Sequence, residues 1–422
     1  MAPSQHTTGC TMTTTPPIPH QVGITLALIQ LFFTLTWTVY VLFLPQLAAQ
    51  VGLGKEMVLV ILLVDQLVFL ISDTAVGVMA DKSVRAFGRL GRGIVLVTLV
   101  SCLAFLLLPL MAAQGPGAQW LFLALTLVWS VTSSALRAPP LVLLGKYAAM
   151  PAIPWLTSLF FFGLGAASAL APYLTVMLRG LDPRWPFALS SIALALATLG
   201  IVWAERSLKA SAASSPATDA AVAPAPALVK PPLAPFLAAM ALLGLGFQVH
   251  FSLNSAPQYL RVAPGASLES LMPVFWIGFS VLMLMAARIR ARFGGLLVMG
   301  VAGCVGALAT WATTVAPSLD LLVAAQFVAG GAWSLLMMSA FSSALIIGRT
   351  GREGLVTGSM FSLLALAALA RIGVVAAELN KDAALASALH LAPSLAWAGA
   401  GLVLLGMAWY LRRAAVSAPV AA

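Results

Sequence analysis

Residues 71–93 read ISDTAVGVMADKSVRAFGRLGRG. The first ten are apolar except for Ser72, Asp73 and Thr74. The remainder carries Asp81, Lys82, Arg85, Arg89 and Arg92. A greasy helix that stops in a basic turn is a membrane span reaching an aqueous boundary enriched in positive charge. Asp73 lies about two helical turns short of that boundary, so it is a carboxylate inside the apolar segment.

The rest of the chain repeats this pattern. Of 422 residues, 61% are hydrophobic and only 8% are charged, with mean hydropathy +1.02. A water-soluble chain of this size needs far more charge to cover its surface, so lipid is its main solvent. Apolar runs fall near 22–45, 57–80, 93–113, 118–145, 153–178, 185–204, 233–257, 270–288, 295–315, 319–347, 354–377 and 390–411. Each is long enough to cross a bilayer, which takes roughly 20 apolar residues. The expected fold is all-α, with twelve transmembrane helices in two six-helix halves, 22–204 and 233–411. The Ala/Pro/Ser-rich segment 205–232 reads as a flexible linker on the inner side. Residues 1–21 read as a disordered tail, and 412–422 as a second tail.

Net charge of +10 does not point to nucleic acid, because the charges sit in short loops between spans. With both termini cytoplasmic, the inner loops and tail hold 15 of the 22 Lys and Arg residues, while the outer loops hold only Lys55, Arg179, Arg184, Arg261 and Lys381. That asymmetry follows the positive-inside rule. The inner basic loops can also touch anionic lipid heads. Cys10, Cys102 and Cys304 have neither metal nor disulfide spacing, and no cofactor is expected. Residues 1–21 contain no Lys or Arg, so the first run reads as a retained span, not a cleaved signal. The expected location is a cell membrane. The Ala-rich composition suggests the inner membrane of a bacterium.

The halves echo each other. Span 1 ends in LFLPQL with Pro45-Gln46, and span 7 ends in NSAPQYL with Pro257-Gln258. RAFG (85–88) follows span 2, and RARFGG (290–295) follows span 8. Parallel six-span repeats are a transporter plan, with the solute site at the midplane between the halves.

The motif Gly77-x-x-x-Asp81-Lys82, followed by Phe87-Gly88-Arg89, resembles the loop 2–3 signature of the major facilitator superfamily. It is closest to the version in glycoside–pentoside–hexuronide cation symporters and plant-type sucrose transporters, where an Asp precedes the Gly by four residues, as Asp73 does. Leu90-Gly91-Arg92-Gly93 departs from the basic-basic-Pro ending of that signature. LRAPPLVLLGKY (136–147) also resembles this branch, and Arg137 matches the Arg of sucrose transporters. Two carboxylates of the melibiose-type sodium site would fall at Phe69 and Arg137. The resemblance therefore implies a proton in preference to sodium. It also implies an inner latch at Gly77, Asp81, Lys82, Arg85, Gly88 and Arg89. ARIRARFGG has no acid to match Asp81, so the latch is expected to be one-sided.

Charges within spans persist where they face a cavity or a partner. Asp73 lies roughly 12 Å above the inner end of span 2, and Arg137 roughly 13 Å above that of span 4. They are expected to form a coupling pair, or to take turns with a proton or solute; a permanent pair that only fixes helix packing is the alternative. Asp65 and Arg371 lie farther out, roughly 24 and 27 Å from the inner ends. With spans 2 and 11 facing each other, as the resemblance implies, the two would form an outer gate. Otherwise Asp65 snorkels outward. The same plan turns polar and aromatic residues of spans 1, 7 and 10 toward a solute cavity: Gln30, Trp37, Tyr40, Gln248, His250, Asn254, Gln326 and Trp333. Rings flanked by amides suit a polyhydroxylated or amphipathic ligand, although each residue could equally serve helix packing. GLGAASALAP (163–172) reads as a close-approach stripe.

The expected activity is secondary transport of a small solute, sugar-like or a related organic compound, by alternating access and proton symport, carried out by a monomer. The alternative is proton-antiport efflux of amphipathic compounds. No nucleophile constellation, metal spacing or paired acidic motif supports an enzyme.

Overall fold

The structure, a computed structural model, describes residues 20–214, 232–349 and 351–417. Residues 1–19, 215–231, 350 and 418–422, which include most of the first tail and most of the linker, lie outside the described residues. Among the described residues, twelve helices are long and apolar enough to span a bilayer. In the N-terminal half they are α1 His20–Gln50, α2 Lys55–Ala86, α3 Gly91–Ala112, α4 Pro116–Tyr147, α5 Met150–Leu178 and α6 Arg184–Ala213. In the C-terminal half they are α7 Leu233–Leu260, α8 Gly265–Phe293, α9 Gly295–Val315, α10 Leu319–Gly348, α11 Glu353–Ala376 and α12 Ala384–Ala414. No strand occurs among the described residues.

Helix ends move by several residues throughout, and two of them cross a limit drawn between segments. The α6 helix runs on to Ser214, into the segment read as linker. Ala-rich sequence with a Glu205–Lys209 pair one turn apart favours helix there. The last helix continues to Ser417, through most of the segment read as a tail.

Packing is repeated. In the N-terminal half α1 packs on α5 and α6, and α3 on α4 and α6. In the C-terminal half α7 packs on α11 and α12, and α9 on α10 and α12. The halves meet where α2 lies against α11 and α5 against α8, the two contacts that a pseudo-two-fold axis exchanges. Pro45 and Pro257 both fall inside helices. The Phe-Gly glycines of the two echoes, RAFG and RARFGG, both end a helix with positive φ, Gly88 at 59° and Gly294 at 89°. Perimeter side chains such as Ile71, Leu196, Leu308 and Leu395 are exposed and apolar, as a lipid-facing surface requires.

Two helices break beside residues expected to act in transport. In α4 a tight turn at Ser134–Leu136 leads into Arg137, at φ −98° and ψ −80°. Pro139 and Pro140 follow; neither has an N–H to continue the ladder. In α7, His250–Asn254 forms a π-helical turn, an insertion often found at functional positions.

Candidate transport site

Both described ends of the chain, and the α2–α3, α4–α5, α8–α9 and α10–α11 turns, share one face, here the terminal face. The halves are sealed there and separate toward the opposite face. The seal is built from glycine. A Cβ on Gly77 would collide with the backbone carbonyl of Gly354, and one on Gly358 with that of Asp73, so α2 and α11 meet backbone to backbone. The Asp81 carboxylate accepts hydrogen bonds from the N–H groups of Gly354 (2.8 Å) and Leu355 (2.9 Å). It thereby caps the first turn of α11, whose free donors and dipole favour an anion. Thr74 and Ser362 add a bond between the halves at 2.8 Å.

The other expected latch residues act within their own half. Arg85 Nε donates to the Asp81 carbonyl at 3.4 Å. The Gly88 carbonyl accepts from Tyr147 Oη and Lys209 Nζ. Lys82 and Arg89 are exposed. A second cap went unread in the sequence: Glu205, 4% exposed, accepts from Leu90 N and Gly91 N at 2.9 Å each and pairs with Lys209 at 2.9 Å. Its one signal was the Glu205/Lys209 spacing at the end of an apolar run.

A cavity of about 570 Å³ opens toward the opposite face, between α1 and α5 on one side and α7 and α8 on the other. Trp37, Phe247, Phe251 and Trp276 form its walls, with Gln248, Ser168 and Ser252 as polar groups. At its rim Arg179 of α5 pairs with Glu269 of α8 at 3.3 Å. The hydroxyls of Thr34, Thr38 and Thr175 already donate one turn back along their helices, so toward the cavity they accept.

Beneath Trp37 lies the charge pair. Arg137 Nη1 is 2.8 Å from Asp73 Oδ2. Asp73 is fully buried and Arg137 is 17% exposed. Neither carboxylate oxygen receives an aligned hydrogen bond, so charge attraction dominates the contact. The Arg137 guanidinium lies 4.9 Å from the ring of Phe69 on α2 and 5.0 Å from that of Phe361 on α11, within cation–π range of both. One arginine thus touches an acid in its own half and an aromatic ring of the other.

Asp65 and Arg371 do not pair in this structure. Asp65 is held inside its own half by Tyr40 and Ser130, and Arg371 Nε is buried without an acceptor. Of the eight expected cavity residues, Trp37 and Gln248 line the cavity. The other six are buried in this conformation, where their helices turn those faces toward bundle partners. Gln30 Oε1 is buried without a donor, and Tyr40 is bound to Asp65. Asn254 donates to the Leu389 carbonyl at 2.9 Å. His250 meets Gln326 at 3.0 Å, and Gln326 Nε2 donates to Ser255 at 3.1 Å. Trp333 is sandwiched between Phe247 and Trp397. The 163–172 stripe includes two close approaches, Gly163 against the Ala27 backbone and Gly165 against Phe279.

Two six-helix halves around a cleft open to one face define a multi-pass membrane transport protein, not an enzyme. The chain belongs to the Major Facilitator Superfamily, whose profile matches residues 26–370. Solved structures share the fold at low identity. A bacterial homologue of the iron transporter ferroportin, in an outward-facing state, superposes with TM-score 0.68 at 13% identity, over 92% of this chain and 99% of that one. The human organic anion transporter TETRAN gives 0.65 at 15%, over 93% and 99%. The fucose:proton symporter of E. coli gives 0.62 at 13%, over 92% and 99%. No curated protein matches the chain.

Proposed function

We propose that this protein carries a small organic solute across a cell membrane by alternating access and proton symport, and that it lies near the glycoside–pentoside–hexuronide branch of its superfamily. The basic terminal face is cytoplasmic, and the conformation described above is outward-open. The observation that carries the reading is the Asp73–Arg137 pair beneath the cavity, with Arg137 also stacked on Phe361 of the other half. A solute or proton that loosens the pair also loosens a contact between the halves, which ties binding to rocking. Asp65 and Arg371 lie equally far, roughly 13 Å, from the Thr74–Ser362 contact along their antiparallel helices, so they stand level. Closing the outer side would bring them toward each other as a gate.

Facing aromatic walls with amide and hydroxyl groups fit a sugar-like compound, whose C–H faces pack on rings while its hydroxyls bond amides. The same walls also favour the second reading, efflux of an amphipathic compound. Purified protein is screened by thermal shift against sugars, glycosides, organic acids and cationic amphiphiles. Hits are then tested in liposomes under an imposed pH gradient. Gradient-driven accumulation that Asp73→Asn abolishes supports symport; accumulation unchanged in Asp73→Asn removes the coupling role. Resistance to an amphipathic toxin on expression would favour efflux.

A further inference from the structure

The two intramembrane acids of the N-terminal half have different surroundings. Asp73 faces a cation, whereas Asp65 has only hydroxyls. Asp65 is 2% exposed. Tyr40 Oη donates to one carboxylate oxygen at 2.7 Å and Ser130 Oγ to the other at 2.5 Å. The helices packed on α2 are α1, α4 and α11. Among them α1 carries no Asp, Glu, Lys or Arg. On α4 the charged residues are Arg137, committed to Asp73, and Lys146 at the terminal face. On α11 they are Glu353, at the terminal face, and Arg371, which stands level with Asp65 without pairing to it.

A carboxylate in a membrane interior is costly as an anion without a cation, and a proton is the smallest charge that can neutralise it. Both hydroxyls can donate to the ionised acid. When the acid is protonated, either can rotate and accept its proton. The site is therefore satisfied in both states.

Asp65 is also wired to the cavity. The ring of Trp37, which lines the cleft, lies 5.4 Å from Tyr40, 5.6 Å from Trp129 and 5.6 Å from Phe69. Tyr40 holds Asp65, and Phe69 stacks on Arg137. One cavity-lining side chain thus touches Tyr40, which holds Asp65, and the ring that stacks on Arg137, the partner of Asp73.

We propose that Asp65 is the carboxylate that binds and releases the transported proton, with Tyr40 and Ser130 holding it in both states and Trp37 relaying occupancy of the cleft. The proposal rests on the proton-coupled reading and deepens it. A proton from water in the cleft adds to a carboxylate oxygen of Asp65 to give the neutral acid, and the reverse step releases it to the other side. No covalent bond to carbon changes and no electron moves. Asp73–Arg137 remains the pair that answers to solute.

The test is pH-difference infrared spectroscopy on the full chain in liposomes, with protons as the only added ligand. Wild type is expected to show a protonated-carboxyl band that grows on acidification. Asp65→Asn should lose one component of it and Asp73→Asn should retain that component. Tyr40→Phe and Ser130→Ala, which keep the acid, should each move the midpoint of that component by about one pH unit. A band in Asp65→Asn identical to that of wild type overturns the proposal. If Asp65→Asn does not fold, midpoints unmoved in both hydroxyl variants overturn it. Failure of the proton-coupled reading is visible separately, as wild-type solute accumulation indifferent to an imposed pH gradient.

Discussion

Replacing Asp81 by Asn should shift the protein away from the conformation sealed at its terminal face. The Asp81 side chain, 5% exposed, receives two charge-assisted bonds from the first turn of α11, at 2.8 and 2.9 Å. Bonds to a charged acceptor contribute about 1.5–3 kcal/mol each, and neutral ones about 1 kcal/mol. Asn offers one neutral acceptor and turns an amide donor toward the second N–H. The net loss is about 3 kcal/mol, which changes the ratio of sealed to unsealed states by roughly a hundredfold. Cysteines introduced at Gln114 and Leu379, both on the opposite face, can carry spin labels in a background without native cysteines. Their separation, read by pulsed electron resonance in liposomes, should contract as that face closes in Asp81→Asn. An unchanged distance distribution would refute the assignment of Asp81 as the device holding the seal.

Gly77→Ala should act in the same direction, because its Cβ meets the Gly354 carbonyl and forces α2 and α11 apart; the same label pair reads it. Arg137→Ala should destabilise the fold by about 3 kcal/mol by leaving Asp73 buried and uncompensated, lowering the thermal unfolding midpoint, and adding Asp73→Asn should recover much of the loss. Glu205→Gln should cost about 1–2 kcal/mol through weakened capping of α3 and a lost ion pair with Lys209, seen as a lower midpoint with solute affinity intact. Gln248→Ala should weaken solute binding at unchanged stability. Gln326→Leu should do the reverse, because it strips His250 and Ser255 of a buried partner.

The helices were legible because lipid imposes one rule on every span, about 20 apolar residues ending in charge. ISDTAVGVMADKSVRAFGRLGRG follows that rule, as do most of the other runs. The Asp73–Arg137 contact was also legible: both residues are expensive in lipid and lie at matched depth along their helices. Which way a polar side chain points was not. In a bundle buried on all sides, apolar periodicity is weak, so nothing in the sequence separates Trp37 and Gln248 from Tyr40 and His250. The breaks in α4 and α7 add rotation that simple helical counting does not carry. Phe361 was missed because an aromatic residue in a span looks like packing until an arginine from the other half stacks on it. Glu205 was hidden because the apolar run stops at residue 204, nearly three turns before α6 ends at Ser214.

Both acids that lie deep in the spans, Asp65 and Asp73, belong to the first six helices, as does Arg137. The last six bring three cavity rings, the His250–Gln326 network and the ring that touches Arg137. On the proposed reading the charges that drive transport lie in the first half, whereas both halves line the cavity. A hybrid joining residues 20–214 to the C-terminal bundle of a different family member should then keep its driving ion and exchange only part of its solute contacts. In such a lineage cargo can drift gradually while the proposed engine is left alone.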